Sequence, residues 1–171
     1  DMSRIESGKI RLKEENVHLP SMIANLISFI RPDMDKMGQI FQLKSQILEH
    51  DTVISDGLHL QKILLNLLSN AMKYTQAGGI ISLQITETKV DADTIRMRFV
   101  VEDNGIGIPQ DSQSRVFERF YRVDKSRSKA TGGTGLGLAI VKHIAVLHGA
   151  RIDLESTVGT GTTIRIIFPK M

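Results

Sequence analysis

Cysteine is absent from all 171 residues. That excludes a disulfide scaffold and any thiolate metal centre, and it suits a reducing, cytoplasmic setting. No run of eighteen apolar residues occurs and no signal-peptide pattern opens the chain, so nothing here is expected to span a membrane and a soluble piece is expected, though a parent protein could be membrane-anchored. Low-complexity tails are lacking too; with 41% apolar and 24% charged residues, the composition fits one compact α+β domain with an adequate core. Charge of one sign is also weak. The net charge is +3, too little to argue for a nucleic-acid partner, and the basic side chains are concentrated locally: Arg115, Arg119, Arg122, Lys125, Arg127 and Lys129 crowd one loop. A local phosphate partner fits that clustering better.

What the chain does have is an unusual helix. Residues 56–75, DGLHLQKILLNLLSNAMKYT, are apolar nearly all round except for Asn66, Asn70, Lys73 and Tyr74, whose i, i+4, i+7, i+8 spacing places them on one side at 100° per residue. Amides and an ammonium set into a helix built for burial each cost roughly 1–3 kcal/mol unless satisfied. A ligand could satisfy them: Asn carbonyls are hard oxygens suited to Mg²⁺, and a lysine one turn on would meet phosphates. The alternative is an amphipathic helix whose polar face simply meets water.

Taken in order, residues 1–9, DMSRIESGK, read as the tail of a helix stopping at Gly8, so the chain is expected to begin inside an element of a longer protein. Residues 10–19 have strand character; Pro20 opens a helix expected to end near residues 37–38. Residues 40–44 and 52–55 alternate as short strands, and Ser55 or Asp56 can cap the central helix, which Gly78-Gly79 should terminate. An antiparallel pair is expected from residues 80–88 and 94–102, then a helical piece over 114–120 and a polar loop over 121–134, whose length marks it as either functional or disordered. A helix over 136–147 and strands at 152–155 and 162–168 complete the chain, with Gly159 and Gly161 in the last turn.

Two glycine motifs flank that loop. Asp103-x-Gly105-x-Gly107 follows a strand directly; a carboxylate there can accept from an exocyclic amine while glycines leave room for a ring, although a sharp turn with a capping aspartate explains the same pattern. Gly133-Thr134-Gly135-Leu136-Gly137 feeds into a helix and so aims free N–H groups and the positive dipole end at an anion. A Gly-rich hinge is its plainer reading. It is neither a Walker A loop, since no Gly-Lys-Ser/Thr ends it, nor a Rossmann turn, since no strand precedes it directly.

In sequence order the chain carries LLNLLSNAMKYT, VEDNGIGIP, RVFERFYRVD and GGTGLGLAIVKHI. These resemble the N, G1, F and G2 boxes of the sensor histidine kinase ATP-binding domain, and residues 1–9 resemble the end of that family's dimerisation and phosphotransfer helix, leaving residues 10–171 as the catalytic domain. The resemblance implies the ATPase fold shared with gyrase, Hsp90 and MutL, a two-layer α/β sandwich (the Bergerat fold) with a mixed, mostly antiparallel sheet and helices on one face. It further implies ATP and Mg²⁺ as cofactors. Asn70 then corresponds to the Mg²⁺ ligand with Asn66 assisting, Lys73 to a phosphate contact, and Tyr74 to a residue packing on adenine. Asp103 corresponds to the acceptor of the adenine amino group, with Gly105, Gly107 and Ile108 beside the base, and Arg122 to an arginine near the γ-phosphate. Gly133, Thr134, Gly135, Leu136 and Gly137 correspond to the lid and helix terminus over the phosphates, and Thr162 to a water-binding residue under adenine. The catalytic set is Asn70, Lys73 and Arg122. The lid loop is expected to order around a triphosphate, with Phe117 and Phe120 as its apolar anchors.

One family feature is missing. None of His18, His50, His59, His143 or His148 lies in an H-E-x-R/K-T/N-P-like run, so the acceptor histidine is expected on a separate helical domain of the parent, a homodimer that would pass phosphate to a response regulator; the piece itself is expected to be monomeric. The rivals are a clamp-type ATPase of the same superfamily and a nucleotide-sensing module without catalysis. Clamp ATPases place a glutamate before the N-box asparagine, whereas Leu65 and Ser69 precede Asn66 and Asn70 here.

Overall fold

A computed structural model describes residues 11–45, 48–124 and 133–171. At its centre the apolar helix α2 (Gly57–Tyr74) buries Leu60, Ile63, Leu64, Leu67 and Leu68, each no more than 1% exposed. Asp56 caps it, its Oδ1 accepting the His59 N–H at 3.0 Å. Preceding it are β1 (Glu15–His18), α1 (Leu19–Lys36), β2 (Ile40–Ser45) and β3 (Thr52–Ser55); β4 (Ile80–Lys89), β5 (Ile95–Asp103), α3 (Gly137–Leu147), β6 (Arg151–Thr157) and β7 (Gly161–Phe168) follow. Pro20 lies in the first turn of α1, where a missing N–H costs nothing, and the His18 ring accepts the Ser21 N–H as the cap.

The main sheet has five strands in the order β2-β4-β5-β7-β6. Only β2 and β4 are parallel, because β3 and α2 intervene and carry the chain back over one face; the other pairs are antiparallel. Alternation along β5 shows how the layers form: Ile95, Met97, Phe99 and Val101 are buried in the core with α2, whereas Arg96, Arg98 and Glu102 are exposed on the opposite face. At roughly 1.5–3 kcal/mol for each large apolar side chain fully buried, this alternation is a strong determinant of register. β1 and β3 form a separate antiparallel pair. Among the described residues no helix is long and apolar enough to cross a membrane.

The expected architecture therefore holds, with local corrections. Strand β1 begins only at Glu15. Residues 110–119 form successive turns instead of a helix, since the N–H groups of Ser112, Arg115 and Glu118 bond three residues back. Helix α2 ends at Thr75, which turns extended, before Gly78-Gly79 is reached. Its last carbonyls are taken by a side chain that pattern reading does not reveal: buried Gln39 donates Nε2 to Met72 O at 2.8 Å and Thr75 O at 2.6 Å. The proposed helix tail over residues 1–9 lies outside the described residues.

Candidate functional site

The site is built where the C-terminal half of α2, the end of β5 and the start of α3 meet. Asp103 is the last residue of β5, in register between Ile81 of β4 and Thr162 of β7. Its Oδ1 accepts the Gly105 N–H at 2.9 Å, and the Thr162 backbone N–H also bonds the carboxylate. Burial nevertheless dominates and pushes the carboxyl above the ordinary aspartate value. The glycines are required by close approach. A Cβ at Gly105 would lie 2.1 Å from the Tyr74 carbonyl oxygen, and the next residue, Ile106, donates its N–H to that same carbonyl at 3.1 Å. Gly107 has a φ of +73° and a Cβ there would lie 2.2 Å from the Thr157 oxygen. The turn is thus bolted to the end of α2 on one side and to the β6–β7 hairpin on the other.

Beneath this turn is a hydroxyl network that the sequence motifs do not announce. Ser156 Oγ accepts the Ile108 N–H at 2.8 Å, lies 3.0 Å from the Gly161 carbonyl as donor, and is 2.8 Å from Thr162 Oγ1. Gln113 Nε2 bridges the carbonyls of Ile108 and Ser156, each at 2.9 Å. Ser156 is the one of these that pattern could have flagged, as a polar residue just before the glycine hairpin; nothing in local pattern marks Gln113, because the groups it joins are 5 and 43 residues away.

A second cluster gathers cations and amides. Asn66 donates Nδ2 to Lys62 O at 2.8 Å, which leaves Oδ1 facing α3, where a Cβ built on Gly137 would lie 3.1 Å from it. Asn70, half-buried, and Lys73 and Tyr74, exposed, continue that stripe towards the end of α2. A Cβ built on Gly133 would lie 3.5 Å from Lys73 Nζ and 3.7 Å from Arg122 Nη2. Leu136 precedes α3 without a side-chain cap, so its first N–H groups keep donor capacity. Thr134 is exposed beside them. Gly135, with φ +72°, gives its carbonyl to the Phe120 N–H at 2.9 Å. Phe120 itself adopts φ +62° and the residue is 65% exposed, so it is held through its backbone and not through apolar contact. Tyr121 donates its hydroxyl to Ser112 Oγ at 3.0 Å, beneath the Arg115 guanidinium stacked at 4.5 Å. The remainder of the expected lid, residues 125–132, lies outside the described residues.

The donor set fits the groups inferred from the sequence. Two amide oxygens are hard ligands of the kind Mg²⁺ takes, two cations flank a glycine too small to block a phosphate, and a buried carboxylate stands beside glycines that leave space for a ring. Four of the five histidines fall elsewhere: His18 caps α1, His50 pairs with Glu87, and His59 and His148 contact each other at 3.4 Å.

Comparison with known proteins bears on the family and the fold. The family described as "Histidine kinase-, DNA gyrase B-, and HSP90-like ATPase" matches residues 55–171. The sensor-like histidine kinase SenX3 of Mycolicibacterium smegmatis is 48% identical over 170 residues, covering 99% of this chain and 42% of its own length. The circadian input-output histidine kinase CikA of Synechococcus elongatus is 36% identical over 175 residues, covering 99% of this chain and 22% of its own length. The chain thus spans between about a fifth and two fifths of these relatives. Among solved structures, full-length ShkA in complex with AMPPNP superposes with a TM-score of 0.80 at 28% identity, over 98% of this chain and 33% of that one. The mycobacterial sensor histidine kinase MprB gives 0.73 at 28% identity, over 92% and 98%. Sequence motifs, sheet order and these likenesses converge: the chain belongs to the histidine kinase-, DNA gyrase B- and HSP90-like ATPase family, as a catalytic domain of the sensor histidine kinase type.

Proposed function

We propose that this chain binds ATP with Mg²⁺ and presents the γ-phosphoryl group to a histidine carried by a separate helical domain. The observation that carries the proposal is the meeting of Lys73 Nζ and Arg122 Nη2 at Gly133. Two cations brought to one glycine create a local positive field that suits an anion, and the adjoining uncapped end of α3 favours the same charge. In this reading Asp103 accepts from the adenine amino group, Gly105, Gly107 and Ile108 border the base, Tyr74 packs on it, and the Ser156–Thr162 hydroxyl pair fixes the floor. Asn70 and Asn66 hold the metal, which when bound supplies charge neutralisation at the phosphates. Lys73 and Arg122 orient the triphosphate, and Gly133, Thr134, Gly135, Leu136 and Gly137 offer backbone donors and clearance. Positioning and electrostatics are all that such a transfer asks of a protein.

The structurally similar ShkA is a complex with AMPPNP, which supports an adenine nucleotide as the ligand here. An acceptor domain and a downstream response regulator are the partners this reading requires. The test is incubation with γ-labelled ATP, with and without a helical domain containing the acceptor histidine. Acid-labile label should reach the helical domain and none should stay on the chain alone. Steady hydrolysis without transfer would favour a clamp-type ATPase, and nucleotide binding with neither reaction would favour a sensing module.

A further inference from the structure

The open face of the sheet, opposite the helices, carries a groove of about 560 Å³ that takes no part in the site above. The registers show how it is made. Thr86 of β4 is paired with Arg98 of β5, Arg98 with Ile167 of β7, and Ile167 with Arg151 of β6, so one row across four strands reads Thr, Arg, Ile, Arg. Neighbouring strands are about 4.8 Å apart, which sets the Cα atoms of Arg98 and Arg151 roughly 10 Å from each other across Ile167. Arg96, two residues along β5 on the same face, adds a third guanidinium about 7 Å from Arg98. Gly149 and Pro169 contribute no long side chain at the end of the groove.

Charge in the groove is poorly compensated. Among the described residues neither Arg96 nor Arg98 is ion-paired, and Arg98 is steered by its Nε bond to Thr86 Oγ1 at 3.3 Å, which leaves its terminal nitrogens outward. Arg151 pairs with Asp153 at 2.8 Å while its side chain remains 71% exposed. Glu87, the acid of the lining, is engaged by His50. The patch is also bounded. Towards the nucleotide end the following rows across β5, β7 and β6 carry three carboxylates, Asp153, Glu102 and Glu155, against one arginine, Arg165, which is paired with Glu155 at 3.1 Å. A membrane surface or a nucleic acid would meet those carboxylates as it extended beyond the three arginines, whereas a short stretch of carboxylates would not. The spacing suits such a stretch, since alternate residues of an extended segment are also about 7 Å apart.

From this charge complementarity we infer that the groove is a docking site for an acidic segment of a protein partner, with Arg96, Arg98 and Arg151 receiving its carboxylates. Arg98 lies five residues along β5 from Asp103, roughly 17 Å, so docking and nucleotide binding are separable by mutation.

Fluorescence anisotropy with a labelled ten-residue glutamate-rich peptide tests this on the intact chain, at low and at physiological ionic strength. Saturable binding that weakens with salt is expected, and Arg98→Glu should weaken it by about tenfold or more. Arg96→Glu and Arg151→Glu provide second and third readings should Arg98→Glu fold poorly, as followed by circular dichroism. MgATP affinity should stay unchanged in all three, which keeps the result independent of the proposed kinase role. No peptide binding, equal binding by the folded variants, or tighter capture of phosphatidylserine vesicles or single-stranded DNA than of the peptide would each overturn the assignment.

Discussion

Asp103→Asn is a substitution whose effects on binding and on folding should run in opposite directions. The carboxylate is the only charged acceptor assigned to the adenine, and a hydrogen bond to a charged group contributes about 1.5–3 kcal/mol against about 0.5–1.5 for a neutral pair. Exchanging one for the other should cost about 1.4 kcal/mol, tenfold in affinity for MgATP. The turn itself should survive, because Asn retains an oxygen for the Gly105 N–H now bonded at 2.9 Å. Stability should not fall and should rise near neutral pH: burial holds the carboxyl above its ordinary value of 3.8, so the ionised form is a cost to the folded state. That cost is full above the raised folded value, shrinks as pH falls through it, and is gone below 3.8, where folded and unfolded chains are both protonated. Isothermal titration at neutral pH, with urea unfolding from neutral down to about pH 4, would show both effects. Unchanged MgATP affinity would refute the adenine role. A neutral-pH loss of stability matching the loss of binding would instead make Asp103 a purely structural turn residue.

Other substitutions probe other parts of the site. Asn70→Ala should leave the fold intact and remove most of the Mg²⁺-dependent gain in ATP affinity, read by titrations with and without the metal. Gly105→Ala forces a Cβ to 2.1 Å from the Tyr74 oxygen, and should lower both stability, by about 1–3 kcal/mol, and nucleotide affinity, measured by urea unfolding and titration. Gln39→Ala strips two bonds from the last carbonyls of α2 and should cost about 1–3 kcal/mol in urea unfolding while leaving the triphosphate contacts in place. Burial, then the adjacent His59, hold His148 below the ordinary 6.5; the unfolded chain therefore protonates first, and stability should fall as pH drops through 6.5 towards the folded value. His148→Gln should flatten that part of the stability-against-pH curve.

Much of the molecule is legible along the chain. Helix α2 announces itself because two signals coincide, an apolar surface long enough to be a core and four polar residues at helical spacing. The strands β4, β5 and β7 show in their alternation, and the two glycine motifs in residue types that few other structures need in that order. Those are local properties, carried by neighbours within one or two turns of helix or a few residues of strand. Tertiary structure alone decided the rest. Gln39 reaches the end of a helix 33 and 36 residues away, and Gln113 ties the turn that follows β5 to a hairpin 43 residues on; neither has a periodic neighbour to announce it. Part of residues 110–119 reads as helical because the composition permits a helix, while bonds made three residues back and the pull on Gln113 impose successive turns. The arginine groove is only half legible, since Arg96 and Arg98 alternate onto one face of β5 but Arg151 joins them only through the registers of β5, β7 and β6. Side-chain type and period are written along the chain, but which distant groups satisfy one another depends on strand order and register, and those are set by the packing of the whole core.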